Sequence, residues 1–346
     1  MKLLVTGGAG FIGTNFIRYW LREYSEDILI NLDLLTYAGN LSNLTDVVVA
    51  YPKRYSFIQG DILDSCLVSQ LLSRHKPDVI VNFAAESHNS RAIFNPRQFF
   101  ETNVMGTQVL LDAIRDKETP RFHHISTCEV YGELSLDSTD SFSEASPYKP
   151  QTPYNASKAA ADHLVNSYFH SFGVPITISN CSNNYGPYQH LEKLIPLFTT
   201  NAILDKPLTL YKSSHNRREW LHVNDHCRAI AAVIHNGQVG ETYNIGSGVE
   251  KSIEEISDHI LDILDKPQTL KTYVPDRPGH DSRYLLNSDK IQRELGWKPT
   301  VSFEQGMIET VQWYIDHQDW WKTIQENFED QIIEEDKWET VSHKKG

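Results

Sequence analysis

Tyr154 and Lys158 stand four residues apart in TPYNASKAAADHL, directly after Pro153, where a helix can start. At that spacing both side chains lie on one helix face. An ammonium beside a phenol favours the phenolate. A phenolate held this way can accept the proton of an alcohol while a hydride leaves the same carbon. Taken alone the pair is weak evidence: a chain with 16 tyrosines and ordinary lysine usage holds roughly one such pair by chance, on a solvated helix face. The run HHISTCEVYG (123–132) strengthens it. A strand-like stretch ends there at Ser126 and Thr127, whose hydroxyls can hydrogen-bond a reacting alcohol.

A departing hydride needs an acceptor, and MKLLVTGGAGFIG (1–13) describes a site for one. The apolar run Leu3–Val5 reads as a buried strand, and Phe11, Ile12, Phe16 and Ile17 recur at helical spacing. Between them Gly7, Gly8, Gly10 and Gly13 satisfy two dinucleotide spacings at once. Glycine serves there for the tight turn, the approach of a pyrophosphate and the packing of helix on strand. The helix N-terminus then offers free N–H groups to the phosphates. The plain alternative is a structural turn that binds nothing. Against it, Asp33 lies 20 residues beyond Gly13, where an acid would hold the adenosine ribose. Leu34 and Leu35 follow it, leaving no adjacent arginine for a 2′-phosphate, so NAD is expected over NADP. A nicotinamide cation near Tyr154 would help Lys158 to lower the phenol's pKa. Asp61 and Ile62, after the run YSFIQG, could hold the adenine, or could be an ordinary surface acid and its neighbour.

The elements that must position these groups follow a rhythm. LLVTG, ILINLD, YSFIQGD, DVIVNFAA, RFHHIST and ITISNCS alternate with helix-like stretches such as SCLVSQLLSRH and TNVMGTQVLLDAIRD. That is the pattern of an α/β fold, a Rossmann-type doubly wound parallel sheet. The rhythm fades after about residue 180. Residues 1–184, with 220–245 returning to them, are expected to form the NAD-binding domain. Residues 185–219 and 246–325 would make a smaller C-terminal substrate-binding lobe over the carboxyl ends of the strands, with 326–346 a peripheral tail. The segments HNRREWLHVNDHCRAIAAVIHN and ETYNIGSG are expected against the main sheet.

With 346 residues, 40% apolar content and no apolar run long enough to span a bilayer, a soluble globular chain is expected. The glycine turn starts too near the N-terminus for a signal peptide, so a cytoplasmic location is expected. A net charge of −13 disfavours nucleic acid and acidic membranes as partners. Cys66, Cys128, Cys181 and Cys227 lie far apart, which argues against both a zinc site and a disulfide framework. No metal is expected: His123 and His124, as strand neighbours, point to opposite faces. Trp313, Tyr314, Trp320 and Trp321 read as packing rather than as a sugar platform.

At this point the chain resembles the nucleotide-sugar 4,6-dehydratases of the extended short-chain dehydrogenase/reductase superfamily. TGGAGFIG, NLDLLTYAGNLSNL, NFAAESH, ETNVMGT, TPYNASKAAADHLV, SNCSNNYGPY, EKLIPL, REWLHVNDH, GETYNIGSG, DRPGHDSRY and LGWKP carry the resemblance, from residue 1 to about 317. TYAGNL, EKLIPL and DRPGHD are far more specific than the Tyr-Lys pair. The resemblance implies tightly held NAD, a nucleotide-diphosphate hexose of the dTDP-glucose or UDP-N-acetylglucosamine type, and a homodimer built through a four-helix bundle. It implies oxidation at C4 by Tyr154 and NAD, removal of the C5 proton by Glu129, loss of the C6 hydroxyl as water, and hydride return to C6. The product is a 4-keto-6-deoxy sugar. Thr127 would touch the C4 hydroxyl, and Lys158 would bind the nicotinamide ribose. The cofactor would meet Gly7, Gly10, Phe11, Ile12 and Gly13, then Thr36, Ala84 and Ala85, besides Asp33, Asp61 and Ile62. The substrate would meet Ser87, His88, Asn183, Lys193, Leu194 and Arg218, with Asn244, Arg277 and His280 behind them. Arg217 and Arg218 could clamp a diphosphate, or could serve an ion pair or a helix cap.

One position departs from the family pattern. Thr127-Cys128-Glu129 stands where the family reads Thr-Asp-Glu, the aspartic acid being the donor to the leaving hydroxyl. A thiol is a weaker acid and a poorer hydrogen-bond donor than a carboxylic acid. Either Cys128 donates, or it fills a small gap while another acid or water donates. SHNSR (87–91) also changes, with Ser90 in place of a usual carboxylate. An enzyme that forms a 5,6-ene from UDP-N-acetylglucosamine, or oxidises C4 of such an ene and reduces C6, is the alternative within the same scaffold. A non-catalytic dinucleotide sensor and a simple 4-epimerase are the others, the last leaving Glu129 without a task.

Overall fold

Apolar runs bounded by glycine or polar residues become the strands of the computed structural model, which describes residues 1–115, 120–276 and 281–328. Arg277, His280 and most of the 326–346 tail lie outside the described residues. The first six strands are β1 (Lys2–Thr6), β2 (Ile28–Asp33), β3 (Tyr55–Gln59), β4 (Val79–Asn82), β5 (Arg121–Thr127) and β6 (Ile176–Cys181). Six more follow: β7 (Asn183–Tyr185), β8 (Leu208–Tyr211), β9 (Arg217–His222), β10 (Thr242–Ile245), β11 (Glu250–Ser252) and β12 (Lys271–Val274).

Seven of them form one parallel sheet in the order β3-β2-β1-β4-β5-β6-β10. This is the Rossmann-type doubly wound arrangement, with its order reversing between β1 and β4. Alternation along the strands feeds two cores. Leu3, Val5 and Leu29 face α1 (Phe11–Glu23) and α3 (Val223–Asn236), against Phe16, Trp20, Cys227 and Ile230. Leu4, Ile30 and Leu32 face the opposite way, against Leu71, Leu72 and Leu110, and against Val165 and Tyr168 of α2 (Pro153–Phe172). Each such side chain, fully buried, contributes roughly 1.5–3 kcal/mol.

The return segment divides. α3 packs on the main sheet, and β10 becomes its last strand beside β6. β9 does not join that sheet: it pairs with β7 in parallel and with β11 antiparallel. Trp220 on β9 turns into a separate core with Tyr185, Phe198, Ile256, Ile260, Phe303 and Met307, which decides where the strand goes. The stretch after Glu101 also differs from a plain helix. It opens as a wider π-helical turn (Glu101–Gly106), in which Asn103 turns inward to bond Glu86 and Ser157, and continues as Thr107–Asp112. Tyr314 and Trp321 are fully buried against Leu191, as packing residues. No helix among the described residues is long and apolar enough to cross a membrane.

Two histidines in this interior make a pH test. His226 on α3 donates from Nδ1 to Asn184 Oδ1 at 2.9 Å, and His123 on β5 lies between Thr177 and Ser179. Burial pushes both down to about 3, with Arg121 and His226 adding to the effect at His123. The unfolded chain takes up these protons near pH 6.5. Each histidine therefore contributes stability that is complete above that pH and lost as the pH falls toward about 3, with about 2 kcal/mol gone at pH 5. Asp162 and Glu219, pushed up by burial to about 6 and about 7, act in the opposite direction, so the contribution is read as a difference. Between pH 7 and pH 5, His226→Asn loses about 2 kcal/mol less than the wild type in urea unfolding. Equal losses in both proteins contradict this assignment.

Candidate active site

The carboxyl ends of the central strands open on a cavity of about 510 Å³. At the ends of β1 and β4, on either side of the switch point, the Thr6 hydroxyl donates to Asn82 Oδ1 at 2.6 Å. The glycine turn forms one wall. Gly7 sits at φ +69°, and a Cβ there would come within 2.6 Å of the Ala84 backbone nitrogen. A Cβ on Gly13 would meet the Gly7 carbonyl at 2.4 Å, so turn and helix touch backbone to backbone. Gly10 differs: an added Cβ would meet the Gly7 carbonyl at 3.4 Å, close to ordinary contact. Gly10 is the N-cap of α1 and supplies no side chain, so the first N–H groups of the helix face the cavity with Phe11 and Ile12 in its wall.

Asp33 ends β2 in the same wall. Its carboxylate accepts from Ala9 N–H at 2.9 Å and Leu35 N–H at 2.8 Å. Burial pushes its pKa up, and these two donors pull it back. Thr36, Asp61, Ile62, Ala84 and Ala85 complete this side. On the opposite wall Ser182 Oγ, Asn183 Oδ1 and Gln189 Oε1 are buried and find no hydrogen-bond partner among the described residues. A glycine cradle, an open helix N-terminus, a fixed carboxylate and unpartnered polar atoms together fit a dinucleotide.

α2 brings the reacting groups to the cavity. Thr152 caps it, accepting from Asn155 N–H at 3.2 Å, and Pro153 takes the first turn. Tyr154 and Lys158 then share one face, and both line the cavity with Thr127 and Glu129. Thr127 lies beside the phenol, and its side chain favours the phenolate. The phenol is not lowered as the spacing led one to expect: burial raises it well above its usual value, and the Glu129 and Cys181 side chains add to this. Lys158 explains the difference. Its ammonium turns away to donate to the Ile125 carbonyl at 2.7 Å and lies 3.3 Å from His124 Nε2. Burial lowers the pKa of Lys158, and Asp162 opposes that. Asp162, one turn further along α2, accepts from Ser126 at 2.7 Å and from Tyr148 at 3.0 Å, and its Oδ1 lies 3.6 Å from His124 Nε2.

Cys128 does not reach this cavity. It is 1% exposed and packs with Val130, Tyr131, Phe142, Tyr284 and Leu286. Burial raises its thiol well above the usual value, and the Glu129 carboxylate adds to that. Beside it, Glu129 Oε2 accepts from Asn89 Nδ2 at 2.9 Å.

The expected substrate residues separate into two sets. Ser87, Asn183 and Lys193 line the cavity, Lys193 donating to the Ser87 carbonyl at 2.9 Å. His88, Leu194, Arg218 and Asn244 do not line it. His88 caps the Asn89–Phe94 helix, and Leu194 packs into the separate core. Arg218 lies over the Tyr284 ring and donates to the carbonyls of Arg217, Asp281 and Ser282. Asn244 is fully buried, its amide shared between Tyr131 and the Phe142 carbonyl.

Sequence reasoning passed over Glu86 and Glu192, which line the cavity together with His190. Burial raises both carboxyl groups, and the Arg91 and Lys193 charges oppose this. Glu192 accepts from the Tyr37 hydroxyl and is met by Arg91 at 3.5 Å. A signal existed for Asp162, which repeats the four-residue step from Lys158 along the same face. None existed for Asn89, whose partners are distant in sequence.

The family described as GDP-mannose 4,6 dehydratase matches residues 4–310. The dTDP-glucose 4,6-dehydratase of Shigella flexneri is 45% identical over 347 residues, covering 94% of this chain and 95% of that protein. A Bacillus anthracis dTDP-glucose 4,6-dehydratase solved with NAD superposes with a TM-score of 0.87 at 45% identity, covering 94% and 99% of the two chains. A Streptomyces venezuelae dTDP-glucose 4,6-dehydratase, solved with NAD and a second ligand, gives 0.89 at 46% identity over 94% and 100%. The chain belongs to this family, the nucleotide-sugar 4,6-dehydratases of the extended short-chain dehydrogenases/reductases.

Proposed function

We propose that this protein is an NAD-dependent nucleotide-sugar 4,6-dehydratase, acting on a nucleoside-diphosphate hexose and giving its 4-keto-6-deoxy form. The observation that carries the reading is a single cavity lined both by an alcohol-oxidising set (Thr127, Tyr154, Lys158) and by a second base, Glu129, beside the dinucleotide cradle. A 4-epimerase would have no use for Glu129. The cofactor would be held by the α1 N-terminus, Asp33 and Lys158; when bound, it takes the hydride from C4 and gives it back at C6. Thr127 orients the C4 hydroxyl, and Tyr154, as its phenolate, accepts the hydroxyl proton. Glu129 takes the C5 proton, which the neighbouring 4-ketone has made acidic. Cys128, buried and outside the cavity wall, fills space, and Glu86 or Glu192 in the wall supplies the proton to the leaving C6 hydroxyl.

The test uses dTDP-glucose and UDP-N-acetylglucosamine, each deuterated at C4, with the product read by mass and NMR. Loss of one water with the label found on C6 is expected from the dTDP sugar. The burial of Cys128 favours a second reading, a 5,6-ene sugar oxidised at C4 and reduced at C6, which expels no hydroxyl and needs no strong acid. Both saturated sugars returned intact while such an ene is consumed would select it. Binding of NAD with no turnover of either class would indicate a sensor.

The same reading covers the rest of the molecule. Residues 1–184, with 223–245 returning to them, hold the cofactor and the reacting groups, while 185–222 and 246–325 hold the rest of the sugar nucleotide. The homodimer forms through helices: Phe100 and Met105, and Phe172 at the end of α2, are exposed apolar side chains suited to such a bundle. The enzyme works in the cytoplasm.

A further inference from the structure

Glu129 is held by a directed line of hydrogen bonds that begins at the cap of α2. The Asn155 N–H donates to Thr152 Oγ1 at 3.2 Å, so the Thr152 hydroxyl proton is free to go elsewhere. It goes to Asn89 Oδ1 at 2.7 Å. With its oxygen occupied, the Asn89 amide must present its NH₂ group to the other side, where it donates to Glu129 Oε2 at 2.9 Å. Reversing the amide would set a carbonyl oxygen against a carboxylate oxygen. Every donor in the line points toward Glu129, which accepts at its end. Glu129 Oε1 takes no hydrogen bond from the described residues, and the side chain lines the cavity. Asn89 itself lies outside the wall.

We propose that Asn89, set by Thr152, is the positioning residue for the C5 base. It pins Oε2 and thereby aims Oε1 at the substrate, ready to receive a proton. The proposal rests on the dehydratase reading above. In the step it serves, the C5–H bond breaks, its electron pair moves into the enolate of the 4-ketone, and the proton passes to Glu129 Oε1. The same cap starts the helix that carries Tyr154 and Lys158. The bases for the first and second steps are thus tied to one threonine.

Asn89→Leu removes the donor and Asn89→Asp keeps the size while opposing the carboxylate. The readouts are KM, the transient appearance of reduced cofactor, and exchange of the C5 hydrogen with deuterium oxide. A hydrogen bond to a charged group predicts a loss of roughly 10- to 100-fold in C5 exchange and kcat. C4 oxidation and KM should stay near wild type, with Asn89→Asp the worse of the two variants. Thr152→Ser, which keeps both the cap and the donor, should behave as wild type, whereas Thr152→Val should move the same readouts as Asn89→Leu. C5 exchange within about twofold of wild type in Asn89→Leu overturns the proposal, as does an equal loss of C4 oxidation and C5 exchange. Wild-type enzyme that oxidises C4 but never exchanges C5 or loses water defeats the dehydratase reading first, and this inference with it.

Discussion

Tyr154→Phe lowers turnover about 10²- to 10⁴-fold, the range that a positioned acid–base group contributes. The substitution removes one oxygen at the cavity wall, leaving the Phe99 edge contact and the helix face in place. Folding and NAD binding should therefore survive, which thermal unfolding and cofactor retention check. Loss must appear in the first step: no reduced cofactor forms on mixing with substrate. Because burial and Glu129 raise the free phenol, the wild-type rate should climb with pH through the neutral and alkaline range as the phenolate forms. A sizeable turnover in Tyr154→Phe, or accumulation of reduced cofactor at the wild-type rate, would sink the assignment of Tyr154 as the base for C4.

Glu129→Gln produces a different failure of similar size, also about 10²- to 10⁴-fold in kcat. Glutamine keeps the shape and can still pair with Asn89 through its carbonyl oxygen, so the local fold is preserved. It cannot take a proton. Oxidation at C4 then proceeds, reduced cofactor appears and persists, and neither C5 exchange nor water loss follows. The two variants thus stop the reaction on opposite sides of the 4-ketone. If Glu129→Gln exchanges the C5 hydrogen at the wild-type rate, the base is another group in the wall, and Glu86 and Glu192 become the ones to change.

What could be read without coordinates is local in character. The glycine turn depends on backbone conformation at Gly7 and on contacts within a few residues, and these are properties of the segment itself. Tyr154 and Lys158 share a face because helical geometry sets the four-residue step. The strand rhythm gives the parallel sheet because alternating β and α segments have few other ways to bury both faces. The family motifs extend this to Asp33, Thr127 and Glu129.

Folding in three dimensions decided the remainder, through contacts between segments far apart in the chain. Asn89 meets Glu129 across 40 positions and Thr152 across 63, and no periodicity relates them. Lys158 points at Ile125 and His124 rather than at the phenol, because the end of β5 offers a carbonyl there. Cys128 and Glu129 are adjacent in sequence, yet the short 3₁₀ turn after Thr127 sends one into an apolar core and the other into the cavity. β9 follows Trp220 into the separate core instead of the main sheet. A residue type announces what chemistry is available; which way it faces depends on the register and packing of elements that the local pattern does not encode.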